Sequence, residues 1–318
     1  DHRDLHYPLR RQRQMCIRDR SILLDVLAYN THYLGFNANM LANEMFLDSA
    51  SLRSSVVSHA KTLGYEVTSA RSPIATVNVA LSTTDSSKTM PAGTAFSTTV
   101  DDVSYQFVTI ADTTASGSGG VVTFNNVKIY EGTYITSKYL VDTSDVAQRF
   151  LLPDSRVDTS TLRVQVQNSA SDSTVATYTK ATDISQISST SSVYFLQEVE
   201  NGRHEVYFGD GNVSKALSDG NIVILNYVVT NKTASNGAST FSAPSSIDGV
   251  SDITITTVVS AGGGAEPESL ASIKLQAPLD YASQGRAVTT DDYAVSYTHL
   301  RAHETKANLV CRRRLEKK

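Results

Sequence analysis

The stretch Ile74-Ala-Thr-Val-Asn-Val-Ala-Leu81 marks the point at which the hydrophobic period of this chain switches to two. A period of two places successive side chains on opposite faces of an extended strand. Downstream, residues 90–96 read as a turn entering a strand and residues 105–110 as a further strand. Residues 121–129 and 133–141 read as a hairpin about Glu131-Gly132. More strands fit residues 162–166, 175–179, 192–198, 204–208, 222–230 and 253–259. Abundant Thr, Ser, Val and Tyr with few helix formers favours β-structure throughout residues 72–259. Turn signals at roughly ten-residue spacing predict one or two antiparallel modules, sandwich-like or barrel-like, with a boundary near residues 142–158. The SGSGG run at residues 116–120 reads as a flexible loop, and the Ser/Thr-rich residues 169–192 as solvent-facing strand and loop.

Upstream the period is helical. Leu23, Leu27, Asn30, Leu34, Ala38, Leu41 and Met45 recur at steps of three and four, drawing one stripe down a helix over residues 21–47. Tyr29, Tyr33 and Phe36 widen it on a neighbouring face, and Gly35 allows a close crossing or a slight break. Residues 48–51 break the pattern and supply serine caps. A second helix then follows, with Leu52, Val56, Ala60 and Leu63 on one face and Gly64 at its C-terminal end. The pair reads as a helical hairpin. Its stripe is wider than two helices can hide from each other, which predicts a partner surface carried by Leu23, Leu27, Tyr33, Leu34, Leu41 and Met45.

At the other end, residues 262–293 (GGGAEPESLASIKLQAPLDYASQGRAVTTDDY) form a junction. Pro267 and two glutamates open a short helix over residues 265–277, which Pro278 closes. Arg286 then leads to a second helix start at Thr289–Asp292. The fold class is therefore α+β and mainly β. An N-terminal helical hairpin (residues 21–66) precedes a first β module (67–150), a second β module (151–260) and a junction (261–295) to a further domain.

Charge is unevenly spread. The chain has a formal net charge of −4, but residues 21–295 hold 15 Lys/Arg against 27 Asp/Glu. The ends, 1–20 and 296–318, hold 13 basic and 5 acidic residues. MCIRDR (15–20), SYTHLRAHET (296–305) and NLVCRRRLEKK (308–318) read as translated sequencing adapters, so both ends are set aside as artefact and the native segment as a fragment cut at both ends. Both cysteines, Cys16 and Cys311, fall in those ends. The remainder has no thiol for a disulfide, a metal or a nucleophile. An acidic native segment argues against a nucleic-acid partner. No apolar run reaches the ~18 residues of a membrane span.

Candidate chemistry gives way to simpler readings. Asp142-Thr143-Ser144 and Asp158-Thr159-Ser160 stand too close in sequence for the two lobes of an aspartic protease, and read as turns whose side chains bond the backbone. Phe208-Gly209-Asp210-Gly211 is a turn, and a calcium loop would need more oxygen ligands than Asp210 alone. His32 and His59 fall on different helices with no Asp, Glu or His at metal spacing in the sequence, and His204 reads as part of a hairpin with Glu205. Asp101-Asp102 and Asp291-Asp292 are adjacent pairs whose side chains point apart on a strand. No catalytic, cofactor-binding or metal residue is assigned, and no cofactor is expected.

Several longer phrases carry a resemblance. These are LLDVLAYNTHY (23–33), NMLANEMFLDSA (39–50), SHAKTLGY (58–65), PAGT (91–94), QRFLLP (148–153), YFGDG (207–211) and the glycine–Arg286–Asp292-Tyr293 stretch. In this order they resemble the baseplate wedge subunits of T-even-like and cyanophage-type myophages, within the baseplate J-like family. The resemblance implies a structural, non-enzymatic component of a contractile tail baseplate in the virion, assembled in the host cytoplasm. It implies contacts with other baseplate wedge subunits and with copies of itself, as a homo-oligomer within a hetero-oligomeric wedge. It also makes Phe208, Gly209, Asp210, Gly211, Arg286, Asp292 and Tyr293 structural motif residues. The alternative function, from the Ser/Thr/Tyr-rich β modules, is a tail-associated adhesin binding host glycans. A tail hydrolase is a third, and needs paired carboxylates in a cleft.

Overall fold

A computed structural model describes residues 7–145, 148–181 and 187–283, with side chains from residue 19 onward. The chain divides into two compact units, residues 1–59 and 60–318.

The first unit is built on α1 (Tyr7–Glu44), followed by the start of α2 (Arg53–Thr62). No break occurs at Gly35: α1 runs through it, and a Cβ there would meet nothing within 4 Å.

The second unit is mainly β. One seven-stranded sheet has the order β14-β1-β6-β4-β3, with β5 on β6 and β2 on β5. Its strands are β1 (Ile74–Ser82), β2 (Ser87–Met90), β3 (Ala95–Val100), β4 (Val103–Val108), β5 (Thr113–Ser118), β6 (Val121–Glu131) and β14 (Ile253–Gly262). Alternation works as the sequence predicts: Ala75, Val77, Val79 and Leu81 are buried on one face of β1. Where β1 pairs with β6 the register slips between Val77 and Val79 of β1, opposite an extra residue in β6, and Asn126 of β6 takes a φ of 54°. This bulge re-phases the strand, so Phe124 and Val127 both reach the same core despite their odd spacing. The Asn78 side chain accepts the Asn126 N–H at 2.7 Å and fixes the bulge.

The second sheet has the order β7-β13-β9-β10-β11-β12-β8. Its members are β7 (Thr133–Leu140), β8 (Phe150–Leu152), β9 (Val157–Gln167), β10 (Val175–Lys180), β11 (Val193–Glu198), β12 (His204–Phe208) and β13 (Ile222–Val229). All of its pairings are antiparallel except β10 with β11, which is parallel. Val164, Val206, Val223, Leu225 and Tyr227 fill its core, separate from the first. Phe208 meets Phe150 and Tyr178 edge-on, at 5.6 and 5.3 Å between ring centres.

Three expectations fail for identifiable reasons. Glu131-Gly132 is no hairpin turn. β6 ends in the first sheet and β7 begins in the second, so the chain crosses between sheets there. Glu131 is fully buried, and its carboxylate accepts from Thr230 Oγ1 (2.8 Å), Asn231 N (2.9 Å) and Asn231 Nδ2 (2.8 Å). Gly132 has a φ of 126°, and a Cβ there would stand 2.2 Å from the Val229 carbonyl oxygen. Only glycine fits so close a passage. Second, residues 116–118 of SGSGG extend β5 rather than forming a loop, because Ser116 pairs with β2 and Gly117 and Ser118 pair with β6; Gly117 passes so near Asp85 O (2.4 Å from a Cβ) that only glycine fits. Third, Pro278 lies inside α3 (Leu270–Ser283) and does not end it. Ile273 and Ala277, four residues apart on one face, are completely buried and hold the helix through the missing N–H. Pro267, Glu266 and Glu268 precede this helix. Its N-cap is Ser269, whose hydroxyl accepts from Ser272 N at 3.2 Å.

Replacing Glu131 with alanine strands three donors, two of them on Asn231. It is expected to lower stability by about 3 kcal/mol or more, and Glu131→Gln by roughly half as much. Urea unfolding of the two variants measures both.

Candidate partner interface

α1 is apolar on more of its surface than a single core-facing helix needs. At about 100° per residue, Leu23, Leu27, Leu34, Ala38, Leu41 and Met45 form one seam. Ile22, Val26, Tyr29, Tyr33, Phe36 and Met40 form a second seam, about 120° away. Asp25, His32, Asn39 and Asn43 lie on the opposite side. The six residues expected at a partner interface, Leu23, Leu27, Tyr33, Leu34, Leu41 and Met45, are each between 54% and 69% exposed. Tyr33 belongs to the second seam, where it stacks on Tyr29 with ring centres 6.4 Å apart.

Both seams carry seven-residue spacings: Ile22, Tyr29, Phe36 and Val26, Tyr33, Met40 in the second, and Leu27, Leu34, Leu41 in the first. A seven-residue repeat favours a left-handed wrap of helix on helix. The sequence reading merged these seams into one wide stripe. The angle of each position around the helix separates them.

The end of α1 is held by its last residue. Glu44 Oε1 accepts from Ser51 N (2.8 Å), Ser51 Oγ (2.7 Å) and Leu52 N (3.3 Å), and the Glu44 carbonyl meets His59 Nε2 at 2.9 Å. Glu44 therefore caps the entry to α2, a task the sequence assigned to serines. The hydrogen bonds from Ser51 N–H and hydroxyl, then Ser55 and Leu52, hold its carboxyl down at about 2.

Of the motif residues, Phe208 is packed in the second core, and Gly209, Asp210 and Gly211 form a turn outside it. Asp210 Oδ1 accepts from Asn212 N (2.9 Å) and Val213 N (3.3 Å), and Gly211 N donates to Ser214 O at 2.9 Å. A Cβ on Gly209 would stand 2.0 Å from Ser214 Oγ, so this glycine admits the returning chain. Arg286, Asp292 and Tyr293 lie outside the described residues.

Asp142-Thr143-Ser144 is a turn, as expected, whereas Asp158-Thr159-Ser160 is no turn but the start of β9, its Asp bonded locally in the same way. Asp142 and Asp158 each accept from the N–H and hydroxyl of the serine two residues on. Sequence reasoning missed the wider role of Asp158. It is buried, and its second oxygen accepts from Ser72 N at 2.8 Å, joining the start of β9 to the segment entering β1.

Comparison with known proteins gives two family matches. Residues 18–65 match the family described as baseplate wedge protein gp6-like, helical domain. Residues 138–239 match the family described as bacteriophage baseplate wedge protein gp6, third domain. The chain is also 29% identical over 304 residues to the baseplate wedge protein gp6 of Enterobacteria phage T4. That alignment covers 86% of this chain and 44% of the T4 protein, so the chain spans less than half the length of that relative. The similarity supports a baseplate wedge protein and does not favour the adhesin reading.

The Glu44 clasp sets a pH dependence with a definite sign. Because the folded carboxyl is depressed to about 2, its contribution is complete above the ordinary glutamate value and is lost as pH falls towards 2. An NMR titration is expected to give a Glu44 midpoint near 2. A midpoint in the ordinary glutamate range, about 4.3, rejects the clasp.

Proposed function

We propose that this chain is a structural part of a contractile-tail baseplate wedge, held in its assembly by the two seams of α1. The observation that carries this reading is the run of unburied apolar and aromatic side chains along α1, within the stretch that matches a gp6-like helical domain. Exposed apolar surface of this extent on a folded chain marks a protein contact. Two seams about 120° apart suit two neighbouring helices at once, in the helix-in-groove manner. The partners are other wedge subunits and further copies of this chain, as a homo-oligomer within a hetero-oligomeric wedge. Assembly takes place in the host cytoplasm, before the particle carries the chain in its tail.

The β unit then serves as a rigid body that spaces such contacts, with no catalytic role. Its acidic side chains support this: the buried Glu131 and Asp158 are saturated by backbone and amide donors, a structural use of carboxylates. Within this reading we place the chain among the T-even-like and cyanophage-type wedge subunits, and, on the wording of residues 262–293, among the baseplate J-like proteins.

Substituting Leu27 and Leu34 together with glutamine tests the first seam, and Val26 with Tyr33 the second. Both pairs are exposed, so unfolding free energy is expected to stay within about 0.5 kcal/mol of the parent. Co-purification with wedge subunits co-expressed from the same phage is expected to fall for each pair. Unchanged assembly in both variants, or a loss of several kcal/mol in stability, overturns the reading.

A further inference from the structure

We propose that the outer edge of β14 is a second, separate interface, at which two copies of this chain pair antiparallel and continue the first sheet across a two-fold axis. It rests on neither α1 nor the wedge reading.

β14 is a terminal strand of its sheet, paired with β1; near its C-terminal end Ala261 N donates to Ala238 O (2.8 Å) and Ala261 O accepts from Gly237 N (2.7 Å), away from the run Ile253–Thr257. Ser82 N donates to Asp252 O at 3.1 Å, which fixes the phase of the ladder. Counting by twos from Asp252, Thr254 and Thr256 aim their backbone groups at β1, while Ile253, Ile255 and Thr257 aim theirs outward. Among the described residues no strand pairs with that outer side. The run keeps an unbroken register from Ile253 to Thr257. It ends where the register steps from Thr257 opposite Val77 to Val259 opposite Thr76, leaving Val258 bulged.

Other edges of the two sheets are guarded. β3 exchanges two backbone hydrogen bonds with Ser242, at 3.2 and 2.8 Å. β7 carries Lys138 within the strand, and β8 is only three residues long. Ile253-Thr-Ile-Thr-Thr257 has no charge, no proline and no cover, which is the pattern of an edge meant to be paired.

The chemistry of the strand selects a second copy as the occupant. Every residue in the run is β-branched, and such side chains pair well across strands. A charged partner segment would meet no counter-charge on it. In an antiparallel pair centred on Ile255, Ile253 faces Thr257 of the other copy and Thr254 faces Thr256. The two Asp252 side chains then fall at opposite ends of the ladder, away from each other. Three outward residues on each strand supply about six backbone hydrogen bonds. The half-buried Ile255 would lie beside its counterpart and Ile253 beside Thr257 of the other copy, extending the inward face of the sheet.

The register makes the test specific, because Thr254 and Thr256 are both exposed and face each other only between copies. The full chain carrying Leu27→Gln and Leu34→Gln, which silences one α1 seam, serves as the background for sedimentation at rising concentration. It is expected to dimerise, with the amide protons of Ile255 and Thr257 becoming slower to exchange as it does so. Adding Thr254→Lys with Thr256→Lys sets like charges opposite one another, and is expected to weaken the dimer at least about tenfold. Adding Thr254→Lys with Thr256→Glu sets opposite charges opposite one another, and is expected to keep affinity within about threefold. A background that stays monomeric, or two charge variants that behave alike, overturns the proposal.

Discussion

The β unit depends on one buried carboxylate at a chain crossing. Glu131 ends a strand of the first sheet, and the next residue but one begins a strand of the second. Its side chain has no solvent to answer its charge, so the donors of Thr230 and Asn231 replace water. Those donors sit just after β13, the strand that pairs with β7 along its whole length. The carboxylate thus locks the exit of β13 to the entry of β7, at the point where Gly132 passes the Val229 carbonyl. Gly132 N in turn donates to Gln106 O at 2.9 Å, in the first sheet. Leaving any of these groups unpaired in the interior would cost more than the bond itself contributes. A second tie, Asp158 to Ser72, repeats the device nearby, and Ser69 with Thr159 adds a hydroxyl pair at 2.9 Å. Sheets with separate apolar cores are joined here by satisfied polar groups.

Local order was therefore easier to read than connection. Alternation located the strands because each sheet buries one face, and a slip of one residue would expose Val77, Val79 and Leu81 together. Glu-Gly between two alternating runs, by contrast, looks the same whether the chain folds back or crosses over. The difference is made by Thr230 and Asn231, about a hundred residues further on, and no local pattern reports it. The parallel contact of β10 with β11 was hidden for the same reason, as register across an intervening segment is a tertiary fact. Pro278 shows the opposite error. Its helix-breaking tendency is strong in isolation, but the burial of Ile273 and Ala277 outweighs one missing hydrogen bond.

The interface residues were legible for a different reason. An apolar stripe is a local property of a helix and can be read without knowing what covers it. The stripe alone could not say whether it faced the chain's own β unit, α2 or another molecule. Exposure of Leu23, Leu27, Leu34 and Leu41 shows that the start of α2, in the same unit, does not cover them. The division into two seams required placing each residue at its angle around the helix, since adjacent apolar columns merge in any reading by threes and fours.

These surfaces differ in what they ask of a partner. Helices in proteins draw most of their stability from packing of an apolar face rather than from intrinsic propensity. α1 has such faces but leaves them uncovered in the single chain, and Gly35 at mid-length and the β-branched Ile22, Val26 and Thr31 lower its intrinsic helicity further. Its order and its association are consequently one event, and the free energy of contact must also fix the helix. The edge of β14 is already fixed by β1, which fills the even-numbered half of its hydrogen bonds, so pairing there orders little new backbone. A partner binding at β14 meets a preformed template, whereas one binding at α1 helps to make its own.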